Sequence, residues 1–182
     1  AVAADAKNIN TVPHEYHLAD TPEKRKELID LLLQQKSICF DTETTGTDAN
    51  DCELVGLSFA IKPGEAWYVP VPADQNLAQG IVNEFKPVLE NAAIGKTGQN
   101  IKYDILVLKW YGLEIKGVLF DTMLAHYVID PDTRHNMDVL SENYLGYKPV
   151  SITELIGAVR FDFPCSAPPK LLTIQVVFPS GV

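Results

Sequence analysis

Three closely spaced strand-like segments between residues 37 and 71 constrain the fold of this chain most strongly. Residues 37–41 read Ser-Ile-Cys-Phe-Asp and predict a short buried strand that ends in a carboxylate. Residues 53–61 predict a second strand with one apolar face, made of Val55, Leu57, Phe59 and Ile61. Residues 66–71 predict a third strand, which follows the turn sequence Lys62-Pro63-Gly64-Glu65. Together these segments predict an antiparallel three-strand meander.

Helix-like and strand-like segments alternate through the rest of the chain. Thr21 is a favourable N-cap and Pro22 suits the first helical position, so a helix is expected to begin there and to end near Gln35. Apolar spacing predicts further helices over residues 76–90, 99–111, 122–129 and 137–144, and strands over residues 92–95 and 117–121. A capping box at Ser151–Glu154 predicts one more helix. The pattern indicates an α/β fold, a mixed five-stranded sheet with flanking helices.

The chain of 182 residues suits one compact domain. Residues 1–20 lack clear periodicity and are expected to form a linker or an edge segment laid against that domain. Residues 21–157 carry the strand and helix pattern. Residues 158–182 form a divergent tail with four prolines and a single acidic residue, Asp162.

Composition excludes several classes of protein. Hydrophobic residues make up 46% and charged residues 21% of the chain, which excludes disorder as the main state. No apolar run reaches the roughly 18 residues of a membrane span. Three cysteines without a CxxC motif argue against a disulfide framework and a structural zinc site. We therefore expect a cytoplasmic protein. We also expect a monomer.

The net charge of -9 argues against a stand-alone nucleic-acid binder, which usually presents a basic surface. It does not exclude an enzyme that holds a few nucleotides through metal ions, because an acidic metal pocket itself contributes negative charge.

Two carboxylates follow the first predicted strand, in the sequence Phe40-Asp41-Thr42-Glu43-Thr44-Thr45-Gly46. Residues two apart in a strand project to one face, so Asp41 and Glu43 are expected side by side. Two neighbouring negative charges favour a cation between them, and oxygen ligands suit Mg²⁺ or Mn²⁺. The alternative is an exposed acidic turn that binds nothing.

A third acid lies in the sequence Gly98-Gln99-Asn100-Ile101-Lys102-Tyr103-Asp104. Asn100 and Asp104 are four residues apart, which predicts that both project from one face of a helix. The alternative is that Asp104 only stabilises the start of that helix through its dipole.

These two segments resemble the first two motifs of the 3′-5′ proofreading exonuclease domains of family A DNA polymerases, the family that includes the bacterial enzymes. Residues 120–127, Phe-Asp-Thr-Met-Leu-Ala-His-Tyr, and residues 134–140 strengthen the resemblance, which covers about residues 20–157. It implies an RNase H-like (DEDD) fold and two-metal hydrolysis of the 3′-terminal phosphodiester of single-stranded DNA. It also implies a polymerase domain in cis and a place at the bacterial nucleoid.

The resemblance also implies which residues form the site. Asp41, Glu43 and Asp104 correspond to three of four metal-binding acids, with Asp41 shared by both ions. The positions that contact the single-stranded 3′ end correspond to Gln99, Asn100, Lys102, Tyr103 and Arg134. Their chemistry suits that role, although Tyr103 is also open to a core position and Lys102 to a solvated one.

The sequence departs from this family at its third motif, Tyr-x-x-x-Asp, which supplies the fourth metal ligand and a water-orienting tyrosine. No tyrosine or histidine follows Tyr147. The spacing of His126 and Asp130 mimics the motif but lies too early in the chain. We therefore expect impaired activity and hypothesise a fragment or a variant of a longer polymerase. Two alternatives stay open: an RNase D-like 3′-5′ exoribonuclease, and a catalytically silent nuclease-like module that packs or holds single strands.

Overall fold

The computed structural model describes residues 7–150, which form a mixed sheet with flanking helices. The strands are β1 (Glu15–Leu18), β2 (Ser37–Thr44), β3 (Leu54–Lys62), β4 (Glu65–Pro70), β5 (Gly95–Gly98) and β6 (Leu119–Asp121). The helices are α1 (Pro22–Leu32), α2 (Gln75–Glu84), α3 (Lys86–Leu89), α4 (Ile101–Trp110), α5 (Thr122–Ile129) and α6 (Met137–Leu145). None of these helices is long and apolar enough to cross a membrane. The helix predicted at Ser151 and the proline-rich tail lie outside the described residues.

The strand order across the sheet is β1-β4-β3-β2-β5-β6. The predicted meander is confirmed, because β3 pairs antiparallel with both β2 and β4. β5 is parallel to β2, and β6 is parallel to β5. The predicted α/β class is therefore confirmed, but the count of five strands was one short. Residues 15–18 add a sixth strand at the edge, parallel to β4.

β3 is buried on both faces, which differs from the predicted single apolar face. Gly56 to Ala60 are all buried, whereas Val55 is 39% exposed. Leu57 and Phe59 face the main core, and on the opposite face the Tyr68 ring covers Gly56. The expectation for Val55 was wrong because its place near the strand end leaves it in solvent.

The helix predicted over residues 76–90 is divided into α2 and α3. Pro87 lacks an N–H and its ring clashes with the carbonyl four residues earlier, so a continuous helix cannot pass it. The proline instead occupies the first turn of α3, where a missing N–H costs little.

The strand predicted over residues 92–95 lies further along the chain, as β5. The side chain of Asn91 accepts a hydrogen bond from the Ala93 N–H at 2.9 Å, which holds a turn there. Pairing begins at Gly95, whose N–H donates to the Lys36 carbonyl at 2.8 Å. The shift also moves the start of the next helix from Gln99 to Ile101.

The main hydrophobic core lies between one face of the sheet and helices α1 to α4. By the strand register, Phe40, Leu57, Phe59 and Val69 share this face. They belong to one buried cluster with helical side chains that include Leu28, Leu32, Val82, Val88, Val107 and Leu108. The opposite face carries a small cluster of Cys39, Ala60 and Ala66 with Tyr16 against it. Asp41 and Glu43 continue this second face.

Candidate metal centre

Asp41 and Glu43 lie in the last four residues of β2, one of the two central strands of the sheet. Asp41 pairs with Ser58 of β3, and Glu43 pairs with Gly56. The pairing is regular over this stretch, so both carboxylates project from one face, as predicted. Cys39 is the last residue of β2 that pairs with β5, so beyond it this edge of the strand is free beside the two acids.

Asp104 fills that free edge from the first turn of α4. It is 2% exposed. Its Oδ1 accepts hydrogen bonds from the Thr42 backbone N–H at 2.8 Å and the Thr42 hydroxyl at 2.6 Å. The carboxylate therefore replaces a missing strand partner and fixes α4 against β2. Its place in the first turn also suits the positive end of the helix dipole.

Burial raises the pKa values of all three carboxyl groups, and the charge of Asp104 raises those of Asp41 and Glu43 further. Burial, followed by the charges of Asp104 and Glu43, raises the pKa of Asp41 well above its usual range. Burial and the charge of Asp104 raise the pKa of Glu43 to about 7. Burial is also the main cause that raises the pKa of Asp104 to about 6. Burial without a nearby positive charge disfavours the ionised form of a carboxyl group and therefore raises its pKa.

No ion pair joins these three acids to a Lys, Arg or His side chain within residues 7–150. Three partly or fully buried carboxylates without a cationic partner are a suitable donor set for a hard divalent ion. The residues present therefore fit Mg²⁺ or Mn²⁺.

In the part of the chain that the structure describes, only Glu15, His17 and Glu65 place three ligand atoms all within 4.8 Å of one another. Glu65 of this group already has cationic or basic partners, because it contacts Lys62 at 2.6 Å and His17 at 2.9 Å. The acids at the end of β2 are more widely spread.

The glutamine and asparagine predicted to contact a 3′ end have backbone or structural roles here. Gln99 donates from Nε2 to the His135 carbonyl at 2.7 Å, and its Oε1 accepts from the Thr122 hydroxyl. Asn100 is the N-cap of α4 with a φ of 59°, in the left-handed region. The expectation that Asn100 shares a helical face with Asp104 was therefore wrong, because the helix begins one residue later.

Tyr103 packs against the main core, and its hydroxyl forms hydrogen bonds that hold the loop after β2 in place. The hydroxyl donates to the Gly46 carbonyl at 2.6 Å and bonds with the Thr44 hydroxyl at 2.6 Å. These contacts favour the alternative of a core aromatic. Lys102 is exposed on α4, and Arg134 is exposed in the loop between α5 and α6.

Two residues of this region were missed by the sequence reasoning. Thr42 holds Asp104, and nothing in a local pattern reveals a contact between residues 62 positions apart. Asp121 accepts from the Asn100 and Ile101 N–H groups at 3.1 and 3.0 Å, and also from the Met123 and Leu124 N–H groups. Its role at α5 was visible as an aspartate before an apolar helix. Its role at α4 was not.

The chain matches known proteins in both sequence and fold. A family model described as 3′-5′ exonuclease, that of family A DNA polymerases, matches residues 16–170. The chain is 41% identical over 135 residues to DNA polymerase I of Pseudomonas aeruginosa. This match covers 69% of this chain and 15% of that protein. The chain thus spans only a small part of the curated relatives it matches.

Two solved structures share the fold. Brucella melitensis NrnC with bound Mg²⁺ has a TM-score of 0.57 and 21% identity, covering 82% of this chain and 69% of that one. Trypanosoma brucei RNase D in complex with RNA U12 has a TM-score of 0.63 and 19% identity, covering 74% and 48%. The fold likeness confirms the RNase H-like class. The family match extends beyond the predicted range of residues 20–157 at both ends. Because this match covers most of the sequence, the chain belongs to the 3′-5′ exonuclease family of family A DNA polymerases.

Proposed function

We propose that this chain hydrolyses the 3′-terminal phosphodiester of single-stranded DNA, with Asp41, Glu43 and Asp104 as ligands of Mg²⁺ or Mn²⁺. The observation that carries the proposal is the convergence of three buried or partly buried carboxylates that have no cationic partner within residues 7–150. Two divalent ions, when bound, supply the positive charge that stabilises the phosphate in hydrolysis. NrnC with bound Mg²⁺ supports this choice of ion.

The chain's own residues orient this site. Thr42 holds the Asp104 carboxylate through two hydrogen bonds, so α4 cannot rotate its acid away from β2. Both hydrogen bonds from Thr42 fall on Oδ1, so Oδ2 of Asp104 is the oxygen proposed to bind an ion. The proximity of Asp41 to both Glu43 and Asp104 supports its proposed role as the ligand common to both ions.

The single-stranded 3′ end is proposed to lie along the start of α4. Lys102 and Arg134 are exposed and supply positive charge for phosphates. Gln99 and Asn100 lie at the same helix start, although the Gln99 amide is already bonded to His135. The contacts of Tyr103 favour a supporting role, in which it fixes the loop beside the acids.

DNA is the favoured substrate because the relatives with extended sequence identity are DNA polymerases. In such a parent protein a polymerase domain would lie in cis. An exoribonuclease is the second candidate, which the fold shared with RNA-bound RNase D supports. The absence of Tyr-x-x-x-Asp from the sequence supports a slow reaction, because removing one member of a catalytic unit costs orders of magnitude in rate.

The test is degradation of a 5′-labelled single-stranded DNA oligonucleotide by the 182-residue chain with Mn²⁺, beside an RNA of the same sequence. We expect slow shortening from the 3′ end, lost in Asp41→Ala. Asp51→Ala is the matched control, since Asp51 is exposed in the loop between β2 and β3. Faster loss of RNA than of DNA would favour the exoribonuclease. Shortening that persists in Asp41→Ala would contradict the proposed site.

A further inference from the structure

A serine on β3 lies beside the candidate metal centre with its hydroxyl unused. Ser58 is the register partner of Asp41 on one side and of Tyr68 on the other. Directly paired residues of antiparallel strands project to the same face, so these three side chains form one row. Ser58 is 0% exposed, and its Oγ has no hydrogen-bond partner within the described part of the chain.

An unsatisfied buried hydroxyl is unfavourable, so its presence in this row needs a physical reason. The neighbours of Ser58 on the same face of β3 are Gly56 and Ala60, which carry no polar side-chain group. The Tyr68 hydroxyl donates to the Val55 carbonyl at 3.3 Å. Asp41 is therefore the polar side chain of the row that can accept a bond from Ser58.

The Tyr68 ring extends from this row over the neighbouring position of β3. A Cβ at position 56 would overlap the end of the Tyr68 ring, so the ring lies directly on the Gly56 backbone. Gly56 in turn pairs with Glu43. Tyr68 thus lies over the backbone that pairs with Glu43. Ser58 itself is fully buried, so water is excluded from its hydroxyl, which strengthens a hydrogen bond formed there.

We propose that Ser58 is a positioning residue for the metal centre: its hydroxyl donates to the Asp41 carboxylate when that carboxylate holds a divalent ion. This inference rests on the proposed function. Cross-strand Cβ atoms lie about 4.5–5.5 Å apart, a span that a serine hydroxyl and an aspartate carboxylate can bridge. A ligating carboxylate that gives one oxygen to an ion keeps the other for such a donor, and these outer partners orient the ligand.

The test is Mn²⁺ binding by the whole chain, measured by titration calorimetry on the parent, Ser58→Ala and Asp41→Ala. Ser141→Ala is the matched control. Ser141 on α6 is likewise buried, and its hydroxyl has no hydrogen-bond partner among the described residues, but it is not part of the candidate site. We expect Ser58→Ala to weaken Mn²⁺ binding about tenfold and Ser141→Ala to leave it unchanged. Without metal, both serine variants should melt at or above the temperature of the parent, because each loses a buried unsatisfied hydroxyl.

Two outcomes would overturn the inference, and they separate it from the proposed function. If Asp41→Ala abolishes binding but Ser58→Ala binds Mn²⁺ within twofold of the parent, the positioning role is wrong and the metal centre stands. If the parent shows no Mn²⁺ binding that depends on Asp41, the proposed function and the role of Ser58 both fail.

Discussion

Asp121 caps two helices at once, and its replacement by alanine should cost more than the loss of an ordinary cap. Its Oδ1 accepts from the Met123 and Leu124 N–H groups at the start of α5, at 2.9 and 3.2 Å. The same carboxylate accepts from the Asn100 and Ile101 N–H groups at the start of α4, at 3.1 and 3.0 Å.

The magnitude follows from these four contacts. A side-chain cap contributes typically about 1 kcal/mol to stability. Asp121→Ala removes the cap of α5 and a second set of bonds at α4, so the free energy of unfolding should fall by about 2 kcal/mol. For a chain of this size that corresponds to a loss of roughly 4–8 °C in melting temperature.

Asp74→Ala is the matched control, because Asp74 caps only α2, through the N–H groups of Asn76 and Leu77. Urea denaturation followed by circular dichroism should give a loss of about 1 kcal/mol for this variant. A loss in Asp121→Ala no greater than that in Asp74→Ala would refute the reasoning, since it would mean that the α4 contacts contribute nothing.

Three further predictions concern packing and protonation. Gly56→Ala should cost about 1–3 kcal/mol in urea denaturation, because the new methyl overlaps the Tyr68 ring; an equal cost in a Tyr68→Ala background would contradict this. With EDTA present, stability should fall as pH rises from about 4 towards 7, because the native pKa of Glu43 is about 7 and the unfolded value about 4.3, so the native state binds more protons. Thermal melts of Glu43→Gln should show a weaker fall, and an identical slope would argue against the shift. Lys96 is 1% exposed, and burial lowers its pKa to about 8, so between pH 8 and 10 the native state binds fewer protons than the unfolded state. The parent should therefore gain stability relative to Lys96→Met over that range, and a constant difference would contradict the prediction.

Much of the fold follows from local patterns. The Thr21-Pro22 start of α1 was predictable because the cap and the proline act within one turn, and the Thr21 hydroxyl does accept from the Lys24 N–H at 3.4 Å. The end of the α4 segment was predictable at Gly112, which has a φ of 67°. Pro87 is visible in the sequence, but the prediction of one helix over residues 76–90 did not allow for the break between α2 and α3.

The remaining features depend on contacts between distant residues. β1 pairs with β4 in parallel, about 50 residues away along the chain, so no local alternation reveals it. The side-by-side placement of Asp41 and Glu43 was predictable from strand periodicity. The approach of Asp104 depends on Thr42 at the free edge of β2, and the unused hydroxyl of Ser58 appears only once β2, β3 and β4 are paired.

The most direct test of the metal centre is anomalous diffraction from crystals of this chain soaked in MnCl₂. We expect Mn²⁺ density bounded by Asp41, Glu43 and Asp104, with Asp41 as a ligand, and no density at this position in Asp41→Ala crystals. Density only at Glu15, His17 and Glu65, or none near Asp41, would contradict the central claim that the end of β2 is the metal centre of a nuclease.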